Sequence, residues 1–182
     1  MNRIKPLPIP LDEDIQQYMN HIFPEELNSP NLYRIVAKNR ELLKYLIESK
    51  FLKPTGVFDL GGIARDLREK IILRTCVITE NEYEFNLHKQ TISLKMGLTN
   101  AQVQDILNKV LNPDIWSVSE LSVLRFLDAL LINSTVEDEI FREINLYYTE
   151  SEIIVITMLI GFYKTVSMLV EVSRPDMDRY SL

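Results

Sequence analysis

Apolar residues along this chain recur at helical spacing and do not alternate with polar ones. Two runs repeat every three or four residues: Leu121, Leu124, Leu127 and Leu131, and Ile153, Ile156, Ile160 and Tyr163. Similar runs lie upstream, from Leu32 to Ile47 and from Ile63 to Cys76. No stretch shows the period of two that is typical of a half-buried strand. The pattern predicts an all-α protein.

Polar residues mark where these helices begin and end. Five Ser or Thr residues are followed three positions later by an acid or amide, which is the capping-box pattern of a helix N-terminus. The pairs are Thr79 with Glu82, Thr99 with Gln102, Ser117 with Glu120, Ser134 with Glu137, and Thr149 with Glu152. Gly97 ends the run that starts at Glu80, where a C-cap glycine is typical.

Pro and Gly residues cluster between Lys53 and Gly62, which predicts a loop. We therefore expect an N-terminal helical extension over residues 1–55. It would pack on a core helical domain over residues 56–182, so that the chain forms one compact unit.

The composition supports one hydrophobic core, since 46% of the 182 residues are apolar and 25% are charged. A net charge of −6 argues against nucleic acid and anionic membranes as partners, because both need a basic surface. The most apolar stretch, Ile153 to Val170, contains Lys164 and is shorter than the roughly 20 residues that cross a bilayer. We expect it to be a buried central helix.

The sequence also predicts a cytoplasmic protein without a metal or cofactor. Residues 1–10 contain prolines where a secretion signal would have an apolar segment. The single cysteine, Cys76, cannot form an internal disulfide and fits a reducing compartment. No CxxC motif, Cys/His cluster or glycine-rich phosphate loop is present.

Glu84 and His88 are the candidate chemistry, because four residues place both on one face of a helix. A carboxylate beside an imidazole is a common proton-transfer pair, and it is also a common surface ion pair. The predicted helix from Glu80 to Met96 has two apolar flanks separated by two polar strips. The strips are Asn81, Glu84, His88, Thr91 and Lys95, and Glu82, Asn86, Lys89 and Ser93. We expect the His88 strip to face a cleft and the other strip to be solvated.

Several short motifs around this helix occur in a recognisable order. They are Arg68-Glu69, Glu82-Tyr83-Glu84-Phe85, His88 and Gly97-Leu98-Thr99, with Asn31-Leu32-Tyr33-Arg34 before them and Gly161-Phe162-Tyr163 after them. Together they resemble the carboxymuconolactone decarboxylase and alkylhydroperoxidase D-like (AhpD-like) superfamily over nearly the whole chain. The resemblance implies an all-helical bundle that assembles as a homotrimer or homohexamer.

The peroxidase branch of that superfamily carries Glu, eleven residues, Cys, two residues, Cys, three residues and His. In this chain the four positions hold Glu69, Asn81, Glu84 and His88, so both cysteines are replaced. Neither replacement can supply the thiolate that peroxide reduction needs. The decarboxylase branch resembles this chain in having Glu four residues before the His, although it does not usually have an acid at the position of Glu69.

The resemblance implies acid–base chemistry on a small carboxylated or lactone substrate, with His88, Glu84 and Glu69 as catalytic residues. In this hypothesis His88 transfers the proton, Glu84 orients its ring, and Glu69 relays protons or competes for His88. The candidate substrate-binding residues are Arg74, Tyr83, Asn81 and Tyr163. One alternative is an inactive scaffold or binding relative, because Phe162 stands where relatives often have His. Peroxidase-type activity is a further alternative that lacks both cysteines.

Overall fold

The computed structural model of the protein describes residues 2–23, 28–51, 56, 58 and 62–180. The helices are α1 (Glu13–Asn20), α2 (Asn31–Val36), α3 (Arg40–Glu48), α4 (Arg65–Ile78), α5 (Glu82–Thr91), α6 (Asn100–Asp105), α7 (Val118–Asp128), α8 (Asp138–Asn145) and α9 (Glu150–Ser173). A π-helical turn, Ala129–Asn133, extends α7. No strand occurs among the described residues, so the all-α prediction is confirmed for that part of the chain.

Helix α4 is the centre of the main core. It packs against α9, α5 and α7, and its residues are buried around most of its circumference. Three charged side chains are buried with it, and each has a partner of opposite charge: Glu69 with His88, Lys70 with Glu120, and Arg74 with Asp128. This pairing is what allows a central helix to carry charge, because an unpaired buried ion is very costly.

Three of the five predicted capping boxes are present, at Thr99, Ser117 and Thr149. In each, the hydroxyl accepts from the backbone N–H three residues later, and the acid or amide there accepts from the N–H of the capping residue. These boxes begin α6, α7 and α9.

The boxes predicted at Thr79 and Ser134 are wrong. Thr79 ends α4, and its hydroxyl donates to a carbonyl one turn back at 2.7 Å. Asn81 caps α5 instead, because its Oδ1 accepts from the N–H of Glu84 at 3.1 Å. Ser134 follows the π-helical turn with a left-handed φ of 57°, and α8 begins only four residues later.

Helix α5 is shorter than the predicted run, since it ends at Thr91 and residues 92–97 continue as turns. Gly97 closes those turns with a φ of 97°. Its N–H bonds to the carbonyl of Leu94 at 3.1 Å, and the next N–H bonds to the carbonyl of Ser93 at 3.2 Å. This is the glycine C-cap pattern, so Gly97 has its predicted capping geometry at the end of a turn segment.

The three N-terminal helices have a small core of their own. Ile15 and Met19 of α1 pack with Leu43 and Ile47 of α3. Helix α2 joins this part to the rest, because it packs against both α3 and α9. Much of the predicted loop between residues 53 and 62, including the proposed boundary at residue 55, lies outside the described residues.

Helix α9 contains the most apolar stretch of the chain. By length and composition it passes the test for a membrane span, a test that core helices of soluble proteins also pass. One side packs on α4, α2, α5 and α8, but only 33% of its most apolar 18-residue window is buried. The predicted central helix is therefore buried on one side, and its other side exposes large apolar residues.

Candidate active site

The main core brings the predicted acid–base residues together. The Asn81 cap starts α5 in a register that turns Glu84 and His88 inward, and Glu69 meets His88 from α4. Glu69 is 0% exposed, and Glu84 and His88 are each 5% exposed. The three side chains therefore form one buried cluster between α4 and α5. Tyr163 of α9 closes it on a third side.

Glu69 holds the Nδ1 side of the imidazole. The Nδ1 of His88 lies 3.0 Å from Oε1 and 2.9 Å from Oε2 of Glu69. The hydroxyl of Ser93 donates to the same carboxylate at 2.7 Å. A carboxylate on one ring nitrogen fixes the orientation of the ring. In this structure Glu69 occupies the orienting position that the sequence hypothesis gave to Glu84.

The Nε2 side of the ring is held less tightly. It lies 3.4 Å from Oε1 of Glu84 and 3.4 Å from the hydroxyl of Tyr163, distances that are long for strong hydrogen bonds. The Tyr163 ring stands edge-on to the imidazole, with centroids 5.6 Å apart. Oε2 of Glu84 is buried and has no hydrogen-bond partner among the residues that the structure describes. Nε2 and this oxygen are therefore the atoms with capacity for a further ligand.

The cluster holds its proton on the imidazole. Burial alone lowers the pKa of His88, but the charge and hydrogen bonds of Glu69, followed by those of Glu84, outweigh it and raise this pKa to about 10. Burial alone would raise the pKa of Glu69, but His88, Ser93 and Arg68 stabilise its charge and bring the pKa below its ordinary value. At pH 7 the site is thus an imidazolium beside the Glu69 carboxylate.

Arg74 does not join this cluster. Its guanidinium forms a two-point ion pair with Asp128, at 2.8 and 2.6 Å, and donates to the carbonyls of Ile106 and Asn108 at 2.8 and 2.7 Å. The residue is 1% exposed. These bonds connect α4 to α7 and to the segment that follows α6, so Arg74 has a structural role here.

Asn81 and Tyr83 also face other partners. Asn81 caps α5 and donates to the Ser167 hydroxyl at 3.2 Å. The Tyr83 hydroxyl donates to Asp178 and accepts from the N–H of Leu32 at 3.1 Å. Tyr83 therefore ties α2 and the C-terminal segment to α5. Of the four predicted substrate-binding residues, the structure brings only Tyr163 to His88.

The comparisons with known proteins concern the fold. No protein-family model matches the sequence, and no curated protein matches it. Among solved structures, the debrominase Bmp8 without ligand has a TM-score of 0.75 at 18% identity, covering 97% of this chain and 92% of that one. A Bmp8 variant bound to 2,3,4-tribromopyrrole gives 0.76 at 18% identity, with 97% and 91% covered.

An Agrobacterium tumefaciens protein of unknown function, suggested to be the antioxidant defence protein AhpD, gives a TM-score of 0.69 at 18% identity. The similarity covers 80% of this chain and 96% of that protein. The chain has the AhpD-like fold. The resemblance predicted from the sequence motifs is therefore confirmed at the level of the fold.

In this chain Asn81 and Glu84 stand at the two positions where the motif of the sequence analysis has cysteines. Cys76 lies close to the cluster, but burial, followed by the charges of Glu84 and Glu69, raises the pKa of its thiol well above the ordinary value. A surface hollow of about 670 Å³ is lined by Cys76, Asn81 and Phe85, among others, and not by Glu69, Glu84 or His88.

Three further residues of the site were not predicted from the sequence. Ser93 was assigned to the solvated strip, yet it is 0% exposed and bonds to Glu69. Burial and the charge of Glu84 raise the pKa of Tyr33, and burial, Asp178 and Glu84 raise that of Tyr180. The charge of Glu84 therefore acts on both tyrosines. Tyr33 belongs to a motif of the family resemblance, whereas no periodicity points to Tyr180.

Proposed function

We propose that this chain is a cofactor-free enzyme that transfers a proton between His88 and a small organic substrate. The observation that carries the proposal is the buried imidazole of His88, held at Nδ1 by Glu69 and facing Glu84 at Nε2. Strongly perturbed ionisable groups of this kind concentrate at functional sites. The burial of Glu84 and His88 also argues against the exposed ion pair that their spacing alone left open.

The substrate we propose is a small carboxylated compound or a lactone. When such an acid loses CO2, a C–C bond breaks and its electron pair moves toward a carbonyl oxygen, which becomes an enolate. The imidazolium Nε2–H stabilises that negative charge. It then delivers its proton to carbon, where the new C–H bond forms. His88 then regains a proton from solvent. The electron pair of the broken C–C bond ends in the new C–H bond, so no electron acceptor is needed.

The other side chains have defined parts in this scheme. Glu69 keeps Nδ1 protonated and so directs Nε2 toward the substrate. Oε2 of Glu84, which has no hydrogen-bond partner in the described part of the chain, accepts a hydrogen bond from a substrate hydroxyl. In this proposal the Tyr163 hydroxyl, 3.4 Å from Nε2, donates to a substrate oxygen. Thiol peroxidase activity is not proposed, because Asn81 and Glu84 replace the two thiols and the Cys76 thiol resists ionisation.

An inactive scaffold is the second candidate, and the burial of the cluster favours it. His88 is 5% exposed, and the 670 Å³ hollow is not lined by the cluster. Turnover therefore requires the buried cluster to open to a substrate, whereas a scaffold role does not.

Replacing His88 by Gln should abolish turnover, tested on a panel of small lactones and carboxylated lactones, because Gln cannot carry the transferred proton. Far-UV circular dichroism should remain that of the wild type. The matched control is His21→Gln, since His21 is the only other histidine and is exposed. Retained turnover in the His88 variant would exclude the mechanism, and absence of turnover in the wild type on every substrate would favour the scaffold.

We also propose that the chain forms a homo-oligomer through the outer side of α9. Its exposed large apolar residues are Ile154, Met158, Met168, Leu169 and Val172. Apolar patches of this kind mark contact sites, because leaving them in water is unfavourable. Met158→Glu should reduce the molar mass measured by light scattering to that of one chain. Lys109→Glu, at an exposed position outside α9, is the charge control and should leave the mass unchanged. A monomeric wild type would refute the proposal.

A further inference from the structure

The chain leaves helical geometry immediately after α5. In a continued helix, Ser93 would lie about 140° around the axis from His88, because each residue turns about 100°. Instead α5 ends at Thr91, and Ile92 has a φ of −123°. The backbone N–H groups of Ile92 and Ser93 both bond to the carbonyl of His88, at 2.8 and 2.9 Å. This break turns Ser93 into the protein, away from the solvated strip.

Ser93 reaches the proton-transfer pair as a result. It is 0% exposed, and its hydroxyl donates to Oε1 of Glu69 at 2.7 Å. The two oxygens of the same carboxylate lie 3.0 and 2.9 Å from Nδ1 of His88. Ser93 is thus bonded to His88 through the backbone and to Glu69 through its side chain, which closes a ring of three residues.

We propose that Ser93 is a positioning residue, whose hydroxyl holds the Glu69 carboxylate in the orientation in which both of its oxygens face Nδ1 of His88. Hydrogen bonds to a charged acceptor are short and strong, and this one restrains rotation about the last side-chain bond of Glu69. The catalytic meaning of this role rests on the proposed function. The geometry of the three residues does not, so it can be tested without a substrate.

Titratable groups that lie near Glu69 also influence the pKa of its carboxyl group. Among the described residues they are His88 and Glu84 of α5, Tyr163 of α9, and Arg68 and Cys76 of α4. None of them is changed by a substitution at Ser93. Ser122 is the matched control, because it is also a fully buried serine, and its one hydroxyl partner among the described residues is the carbonyl of Ser119, at 2.7 Å.

The test is NMR of Ser93→Ala and Ser122→Ala, with carbon-13-labelled Glu carboxyl groups and nitrogen-15-labelled His. In Ser93→Ala the titration midpoint of Glu69 should move upward, because its charged form has lost a donor. Exchange of the His88 Nδ1 proton with solvent should become roughly tenfold faster, as expected for one lost hydrogen bond to a charged group. Ser122→Ala should change neither quantity.

Two further variants keep the test decisive if Ser93→Ala does not fold. Thr and Val have nearly the same volume, and only Thr retains the hydroxyl. Ser93→Thr should therefore titrate like the wild type and Ser93→Val like the alanine variant. An unchanged Glu69 midpoint in the variants without the hydroxyl would overturn the proposal, as would equal titration of the Thr and Val variants. If the wild type is active, the acid limb of its pH profile should shift upward in Ser93→Ala.

Discussion

Replacing Glu69 by Gln is expected to lower the pKa of His88 from about 10 toward its ordinary value of 6.5. The charge and hydrogen bonds of Glu69 are the main influences that raise this pKa against the effect of burial, and Gln removes the charge. Glu84 stays beside Nε2 and still opposes the effect of burial on this pKa. Nitrogen-15 NMR of the two histidines measures it directly, with exposed His21 as a reference in the same spectrum.

The same substitution should change how stability depends on pH. The folded-state pKa of His88 is raised, so its contribution is fully present below about 6.5 and is lost as the pH rises toward 10. The folded-state pKa of Glu69 is lowered, so its contribution is present above its ordinary pKa and is lost in acid. The wild type should therefore lose stability from neutral to alkaline pH. Glu69→Gln should lose much less over that range.

Glu84→Gln provides the matched control, because it removes a carboxylate on the other side of the same ring. Its effect on the pKa of His88 should be the smaller one, since Glu84 lies 3.4 Å from Nε2 and Glu69 lies 2.9 Å from Nδ1. Thermal unfolding between pH 6 and pH 10 would complete the comparison. An unchanged His88 titration in Glu69→Gln, or a larger shift in Glu84→Gln, would show that Glu69 is not the main partner.

Local sequence signals predicted the helices because each helix depends on residues within a turn or two. The capping boxes at Thr99, Ser117 and Thr149 need only a hydroxyl and an acid or amide three residues apart. The same pattern at Thr79 was misleading, since Asn81 supplies a competing cap two residues later. Tertiary packing decides which of two such caps begins the helix. A local sequence pattern contains no information about that packing.

Only those site residues could be predicted that residue spacing or the family resemblance identifies. Glu84 and His88 share one turn of α5, whereas Glu69 was identified through the family motif and not through periodicity. Ser93 was assigned to the wrong strip because the prediction continued α5 as a regular helix beyond Thr91. A break in the helix changes the side that the following residues face. The spacing of apolar and polar residues in the sequence does not show where such a break occurs.

Arg74 was predicted from the sequence as a candidate for binding a small carboxylated substrate. Its partners required long-range contacts: Asp128 lies 54 residues away in the sequence, and the two carbonyl acceptors lie 32 and 34 residues away. Pairing across such distances depends on how α4 packs against α7. A buried arginine and a ligand-binding arginine therefore look alike in a sequence until their partners are known.

Arg74→Met should lower the free energy of unfolding by about 3–5 kcal/mol, which is the cost of removing one member of a buried ion pair. Met fills much of the volume but leaves Asp128 without its cation and two backbone carbonyls without their donors. Urea unfolding followed by circular dichroism measures the loss. Arg125→Met is the control, because the Arg125 side chain is 57% exposed and pairs with Glu143 at the surface, so its loss should stay within about 1 kcal/mol.

The kinetic outcome separates the structural role of Arg74 from the anchoring role. If the protein is an active enzyme, Arg74→Met at a temperature where it remains folded should keep a KM close to that of the wild type, because the guanidinium bonds to Asp128 and not to the His88 cluster. The double variant Arg74→Met with Asp128→Asn should recover part of the lost stability, since it removes the orphaned charge. A variant as stable as the wild type but with a greatly raised KM would instead assign Arg74 to the substrate.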